Sequence, residues 1–168
     1  MNATELKNLQ NPLKEKYRSN PESAIITLKA KGRITDGISC KVETGKALVR
    51  AGLHPATGGT GFLSCSGDML LEALVACAGV TLQAVATALQ IEISDGIITA
   101  EGDLDFKGTL GVSKEAPVGF KAIRLHFDLE SNANEEQLAS LKKLTERYCV
   151  VYQTLTNSVR VATEYHSK

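Results

Sequence analysis

The sequence has no tryptophan and only four Tyr and four Phe in 168 residues, so it lacks the aromatic platforms on which single-stranded nucleic acid stacks. It also lacks net charge, with 19 Lys and Arg against 19 Asp and Glu, which argues against a surface that holds nucleic acid or anionic membrane by bulk electrostatics. The first twenty residues, MNATELKNLQNPLKEKYRSN, contain no apolar run of the kind a secretory signal requires. The four cysteines, Cys40, Cys65, Cys77 and Cys149, form no CxxC pair and match no common zinc spacing, even with His54 added. The glycine-rich stretch 58–61 lacks the Gly-Lys-Ser/Thr ending of a phosphate loop. These absences point to a cytoplasmic globular protein with free thiols and without metal, nucleotide, nucleic acid or membrane as partner.

What is present is a 43% hydrophobic chain long enough for one domain. Residues 1–21 read as a polar N-terminal arm or surface helix, and residues 22–168 as a single α+β domain. Strand signals run from Ile25, with Asp36-Gly37 as a hairpin turn into Ile38–Val42, Thr44-Gly45 as a second turn into Ala47-Leu48-Val49, and a loop at 54–61. Ser64 or Ser66 is positioned to cap a helix from Met69 to Leu89, with Asp68 suiting its positive end. That segment is apolar nearly all round and about as long as a membrane span, but Glu72, Thr81, Gln83 and Thr87 favour a helix enclosed by protein. Asp95-Gly96 reads as a turn, Ile97–Phe106 as a strand, and 108–119 as a loop. Ile123, Leu125, Phe127 and Leu129 alternate with polar residues in a half-buried strand. Asn134 with Gln137 forms a capping box for an amphipathic helix bearing Leu138, Leu141, Leu144 and Tyr148. Val159, Val161, Thr163 and Tyr165 alternate in a last strand.

Cys77 lies within the apolar helix, in LLEALVACAGVTL, and Cys149 follows the second helix, in ERYCVVYQTLTNSV. SGDMLLEALVACAGVTL resembles the S-P-x-E-L-L-x-A-A-L-x-x-C helix of the OsmC and organic hydroperoxide resistance proteins. YCVVYQTLTNSV resembles their second cysteine motif, usually C-P-V, and LKAKGRITDGISCKV resembles their early hairpin, in which an arginine follows glycine. The resemblance implies an intertwined homodimer with antiparallel sheets around a long apolar helix. It also implies a peroxidase without cofactor that uses a cysteine pair and an external dithiol or lipoyl-type reductant against small hydroperoxides. By position, Cys77 is then the peroxidatic thiol, Cys149 the resolving thiol, Arg33 the thiolate-stabilising arginine and Asp68 the carboxylate that orients it. Val150 stands where the motif usually has proline, and Asp68 where it has glutamate.

The chemistry such a pair needs is a thiolate. Burial raises a thiol's pKa, so a cation or hydrogen-bond donors must offset it. Asp68 and Cys77, nine residues apart on one helix, are separated by about 13 Å along its axis. A site using both requires Arg33 to bridge them or a second subunit to supply Asp68, and the second alternative favours a site at a dimer interface. Leu74, Val75, Val80 and Leu82 around Cys77 suggest an apolar pocket suited to alkyl hydroperoxides. The alternatives are an apolar-ligand binder of the same fold and a purely structural dimer.

Overall fold

The computed structural model describes residues 3–35, 39–42 and 52–167. Helix α1 (Ala3–Ser19) leads through a 3-10 turn at Pro21–Ala24 into strand β1 (Ile25–Thr35), which pairs with β2 (Ser39–Val42). The pairing of Thr35 with Ser39 brackets the expected Asp36-Gly37 turn, which itself lies outside the described residues, as do the turn at Thr44-Gly45 and the segment Ala47–Val49. The long helix α2 (Ser66–Ala88) follows, then β3 (Ile93–Asp105), the single turn α3 (Phe106–Thr109), β4 (Phe120–Ser131), α4 (Glu135–Tyr148) and α5 (Val150–Thr156). The strands form one antiparallel sheet in the order β2-β1-β3-β4, so the fold is α+β with a long apolar helix on one face of a sheet.

Pleating decides which face the helix covers, because alternate residues of a strand point to opposite sides. Ile98, Ala100 and Leu104 of β3 are buried, and the register places Phe127, Leu125 and Ile123 of β4 on the same side. Against that face α2 packs Leu71, Leu74, Val75, Ala78, Leu82 and Val85. Helix α1 is tied to the domain by Tyr17, 2% exposed, whose hydroxyl donates to the Ala56 carbonyl at 2.7 Å.

Four local expectations are corrected. Neither Ser64 nor Ser66 caps α2: the N-cap position is Cys65, without a side-chain cap bond, and Ser66 is already helical. Asp95-Gly96 is no turn but part of β3, at a register shift between Ile93 and Asp95; the reversal comes earlier, where Gln90 adopts φ 57°. Residues 159–165 form no strand, and Val159, Val161 and Tyr165 are exposed. Helix α2 is not enclosed on all sides either. Its buried residues occupy one arc, while Ala73, Val80 and Ala84 on the other side are exposed.

Candidate functional site

The sulfur atoms of Cys77 and Cys149 meet where α2 passes the junction of α4 and α5. Capping explains the placement of Cys149. It is both the C-cap of α4, donating its N–H to the Thr145 carbonyl at 2.9 Å, and the N-cap of α5, its Sγ accepting from the Tyr152 amide at 3.5 Å. At 1% exposure it is held in the core between two helices. Cys77 is half-buried, at the border between the covered and the open arc of α2, and it lies within hydrogen-bond reach of the Cys149 thiol. Both are free thiols, as is Cys65.

The two sulfurs are electrostatically unequal. Burial pushes the Cys77 thiol up, but hydrogen bonds from the Val151 amide, the Cys149 thiol, the Val150 amide and the Thr81 hydroxyl outweigh it and leave the group below its ordinary value. For Cys149, burial dominates and the neighbouring Cys77 adds to it, so that the thiol is pushed up to about 11 despite the Tyr152 amide. Of the two, Cys77 gives up its proton more readily and Cys149 holds its own more tightly. An acidic thiolate against a protonated thiol in contact is the arrangement that can attack a peroxide and then close a disulfide.

The structure does not bring Arg33 to this pair. The register of β1 sets Arg33 beside Ile97, whose neighbour Ile98 faces α2, so Arg33 stands on the opposite face of the sheet. Its guanidinium pairs there with Asp95 at 2.5 Å. Asp68 sits in the first turn of α2, on the same continuous helix as Cys77, and its electrostatic neighbours are His54 and Glu72. Burial raises the Asp68 carboxyl and lowers the His54 imidazole, each partly offset by the other. The His54 ring stacks on Phe106 at 4.9 Å and accepts the Ala56 amide through Nδ1 at 3.0 Å, which fixes its orientation beside the helix.

Cys40 lies in β2, and its side chain falls outside the described residues. Cys65 is half-buried against the core. Among the described residues no group of three or more His, Cys, Asp or Glu is placed to hold a metal ion. Of the four residues expected to form an apolar pocket around Cys77, Val75 is core and Val80 is exposed. Leu74 and Leu82 instead line an open groove of about 960 Å³ between α2, β4, α4 and α5. Neither sulfur lines the groove, but Tyr152, whose amide holds Cys149, does.

Sequence reasoning passed over Thr81 and the amides of Val150 and Val151. Thr81 was within reach of a spacing argument, since it follows Cys77 by one helical turn. The amides were not, because they act through backbone.

Four solved chains match the fold. An OsmC-like hydroperoxide resistance protein from Jannaschia sp. CCS1 superposes with a TM-score of 0.62 at 15% identity, over 86% of this chain and 95% of its own. An OsmC-like protein from Mycoplasma pneumoniae gives 0.54 at 19% identity, over 79% and 85%. No curated protein sequence matches the chain. The sequence pattern of the family described as OsmC-like protein matches residues 60–164, which include both cysteine motifs, α2 and the whole of β3 to α5. The chain belongs to the OsmC-like protein family.

Proposed function

We propose that this protein is a cysteine-based peroxidase acting on organic hydroperoxides. Cys77 is the nucleophile and Cys149 the resolving thiol. The observation that carries the reading is the contact between two thiols of opposite acidity, one lowered and one raised. In the first step the Cys77 thiolate attacks the O–O bond. A sulfur–oxygen bond forms, the O–O bond breaks, and the alkoxide leaves with a proton as an alcohol, giving a sulfenic acid. Cys149 then condenses with it, forming the disulfide and releasing water. An external dithiol, lipoyl-type or similar, reduces the disulfide by two exchanges and is itself oxidised. No step calls for a metal or organic cofactor. A thiol that must return to the reduced state fits the cytoplasm.

The groove beside Tyr152 supports an apolar organic group on the peroxide, since Leu74, Phe127 and Leu129 line it. The working unit in this reading is a homodimer, because the open arc of α2 and the C-terminal segment leave apolar side chains without a cover in one subunit. Arg33 and Asp68, engaged with Asp95 and His54, stay outside the thiolate's immediate support within one subunit.

Intact-mass analysis after a stoichiometric organic hydroperoxide is expected to show loss of two hydrogens, mapped to Cys77 and Cys149, and Cys77→Ser is expected to abolish turnover. Unmodified cysteines after exposure would defeat the reading. The groove also favours a second one, a non-catalytic binder of a small apolar ligand. Cys77→Ser separates the two, because a binder keeps its affinity in that variant.

A further inference from the structure

The alternation that ends the chain has two sides. Val159, Val161, Thr163 and Tyr165 make a mostly apolar one, and Arg160, Ala162, Glu164 and His166 a mostly charged one. The structure leaves every residue from 158 to 167 exposed, Val161 at 80% and Tyr165 at 94%, and none of them in a strand. Strand β4 has the converse vacancy. It is the last strand of its sheet, and among the described residues nothing pairs with its outer edge. Its register against β3 is regular from Ala122 to Glu130, and it contains no proline, so the edge is a ready template for a further strand. On one side β4 presents Ile123, Leu125, Phe127 and Leu129, the half-covered wall of the groove, and on the other Arg124, His126 and Asp128.

We propose that residues 159–165 add to the outer edge of β4 in a second copy as an antiparallel strand, each copy lending its segment to the other. One register satisfies both sides of the segment at once. With Arg160 opposite Asp128, Glu164 falls opposite Arg124 and Ala162 opposite His126. Val159, Val161, Thr163 and Tyr165 then fall opposite Leu129, Phe127, Leu125 and Ile123, and extend the apolar wall of the groove. A slip of one residue turns the valines to the charged side. A slip of four sets like charges together, Arg160 against Arg124 or Glu164 against Asp128, and no parallel register opposes both charge pairs. Asp103 already holds Arg124 in place at 2.6 Å, and Glu164 exchanges an exposed contact with His166 at 3.7 Å. The receiving edge belongs to a second copy, because the segment's own β4 leaves it bare although Leu155 and Thr156 of α5, just before it, line the groove. Mutual exchange makes the contact isologous, so it closes as a pair. A contact of β4 with β4 also opposes Arg124 to Asp128, but it sets His126 against His126 and leaves Val161 and Tyr165 bare. The proposal goes beyond the peroxidase reading: it gives the homodimer a defined contact and holds whether or not Cys77 turns over peroxide.

The test joins the two edges covalently in the full chain. Directly opposed residues of an antiparallel pair lie about 4.5 to 5.5 Å apart, within reach of a disulfide. The double variant His126→Cys, Ala162→Cys is expected, on mild oxidation, to give a species of twice the chain mass on a non-reducing gel, with a disulfide between positions 126 and 162 mapped by mass spectrometry. Neither single variant is expected to give that species. Absence of the 126–162 disulfide overturns the proposal. So does finding it within one chain, which would seat the segment on its own β4, and so does a 126–126 disulfide in His126→Cys alone, which would set β4 against β4. A second measurement fixes the register by charge. Arg160→Glu and Asp128→Arg are each expected to weaken the pair about tenfold by sedimentation, and the two together to return it to within about threefold of the parent. A combined variant as weak as the sum of the two overturns the register. A parent chain that sediments as a pair but yields no 126–162 disulfide removes the strand exchange and leaves the homodimer standing, and peroxide turnover bears on neither.

Discussion

Arg33 shows how much a single residue's role depends on where a strand puts it. In the sequence it follows Gly32 and precedes a turn, a setting in which a guanidinium could face the helix or the solvent. The pairing with Ile97, 64 positions further along, sends it to the face away from α2, where Asp95 holds it. An exposed pair of this kind contributes at most about 1 kcal/mol. Arg33→Ala is therefore expected to leave the pH midpoint of Cys77 alkylation unchanged and to cost less than about 1 kcal/mol in denaturant unfolding. An upward move of that midpoint would show that Arg33 of a second copy reaches the sulfur. The cysteines were legible because each lies in a motif of neighbouring residues. Their unequal acidity was not, since it depends on amides and on burial that only the packed chain creates.

At the level of elements, a local signal was read well where its partners lie in the same turn of chain, and misread where packing or strand pairing overruled it. The capping box at the start of α4 is complete: the Gln137 amide donates to the Asn134 side chain at 2.9 Å, and the Asn134 amide to the Gln137 side chain at 3.0 Å. Both partners lie within four residues, which is why the sequence disclosed it. Asn134→Ala is expected to cost about 1 kcal/mol, seen as a lower urea midpoint, with Cys77 alkylation unaffected because the cap is at the far end of α4 from Cys149. An unchanged urea midpoint would mean the cap is energetically silent. Asp95-Gly96 carries an equally local turn signal, yet there the ladder prevails. Strand β4 pairs with both residues, Glu130 with Asp95 and Leu129 with Gly96, and the Asp95 carboxylate accepts the Gly96 amide at 2.8 Å while also pairing with Arg33 of β1. The side chain that advertises a turn is used to close an irregularity within a strand.

For the whole molecule, the alternation of Val159, Val161, Thr163 and Tyr165 has a strand's pattern but joins no strand among the described residues, and β4 lies at the sheet's edge. The open arc of α2 repeats the theme: Val80 is 40% exposed on a helix whose composition suits a fully covered core. Half-covered Leu125, Phe127 and Leu129 on β4 face the same groove. Apolar surface of this extent, on a helix, a sheet face and a terminal segment at once, is the kind that the proposed pairing with a second copy would cover. Sedimentation of the full chain at micromolar concentration is therefore expected to give twice the chain mass. Val80→Asp, which would bury an unpaired carboxylate between copies, is expected to give a single chain mass, since leaving a charge uncompensated in an interface costs several kcal/mol. A parent chain that sediments as one copy would refute the dimer, and the exposed arc of α2 would then need another cover. Because Cys77 lies at the border of that arc, dissociation is also expected to expose it, so Val80→Asp should label faster at Cys77 than the parent while Cys149, enclosed between α4 and α5, stays slow.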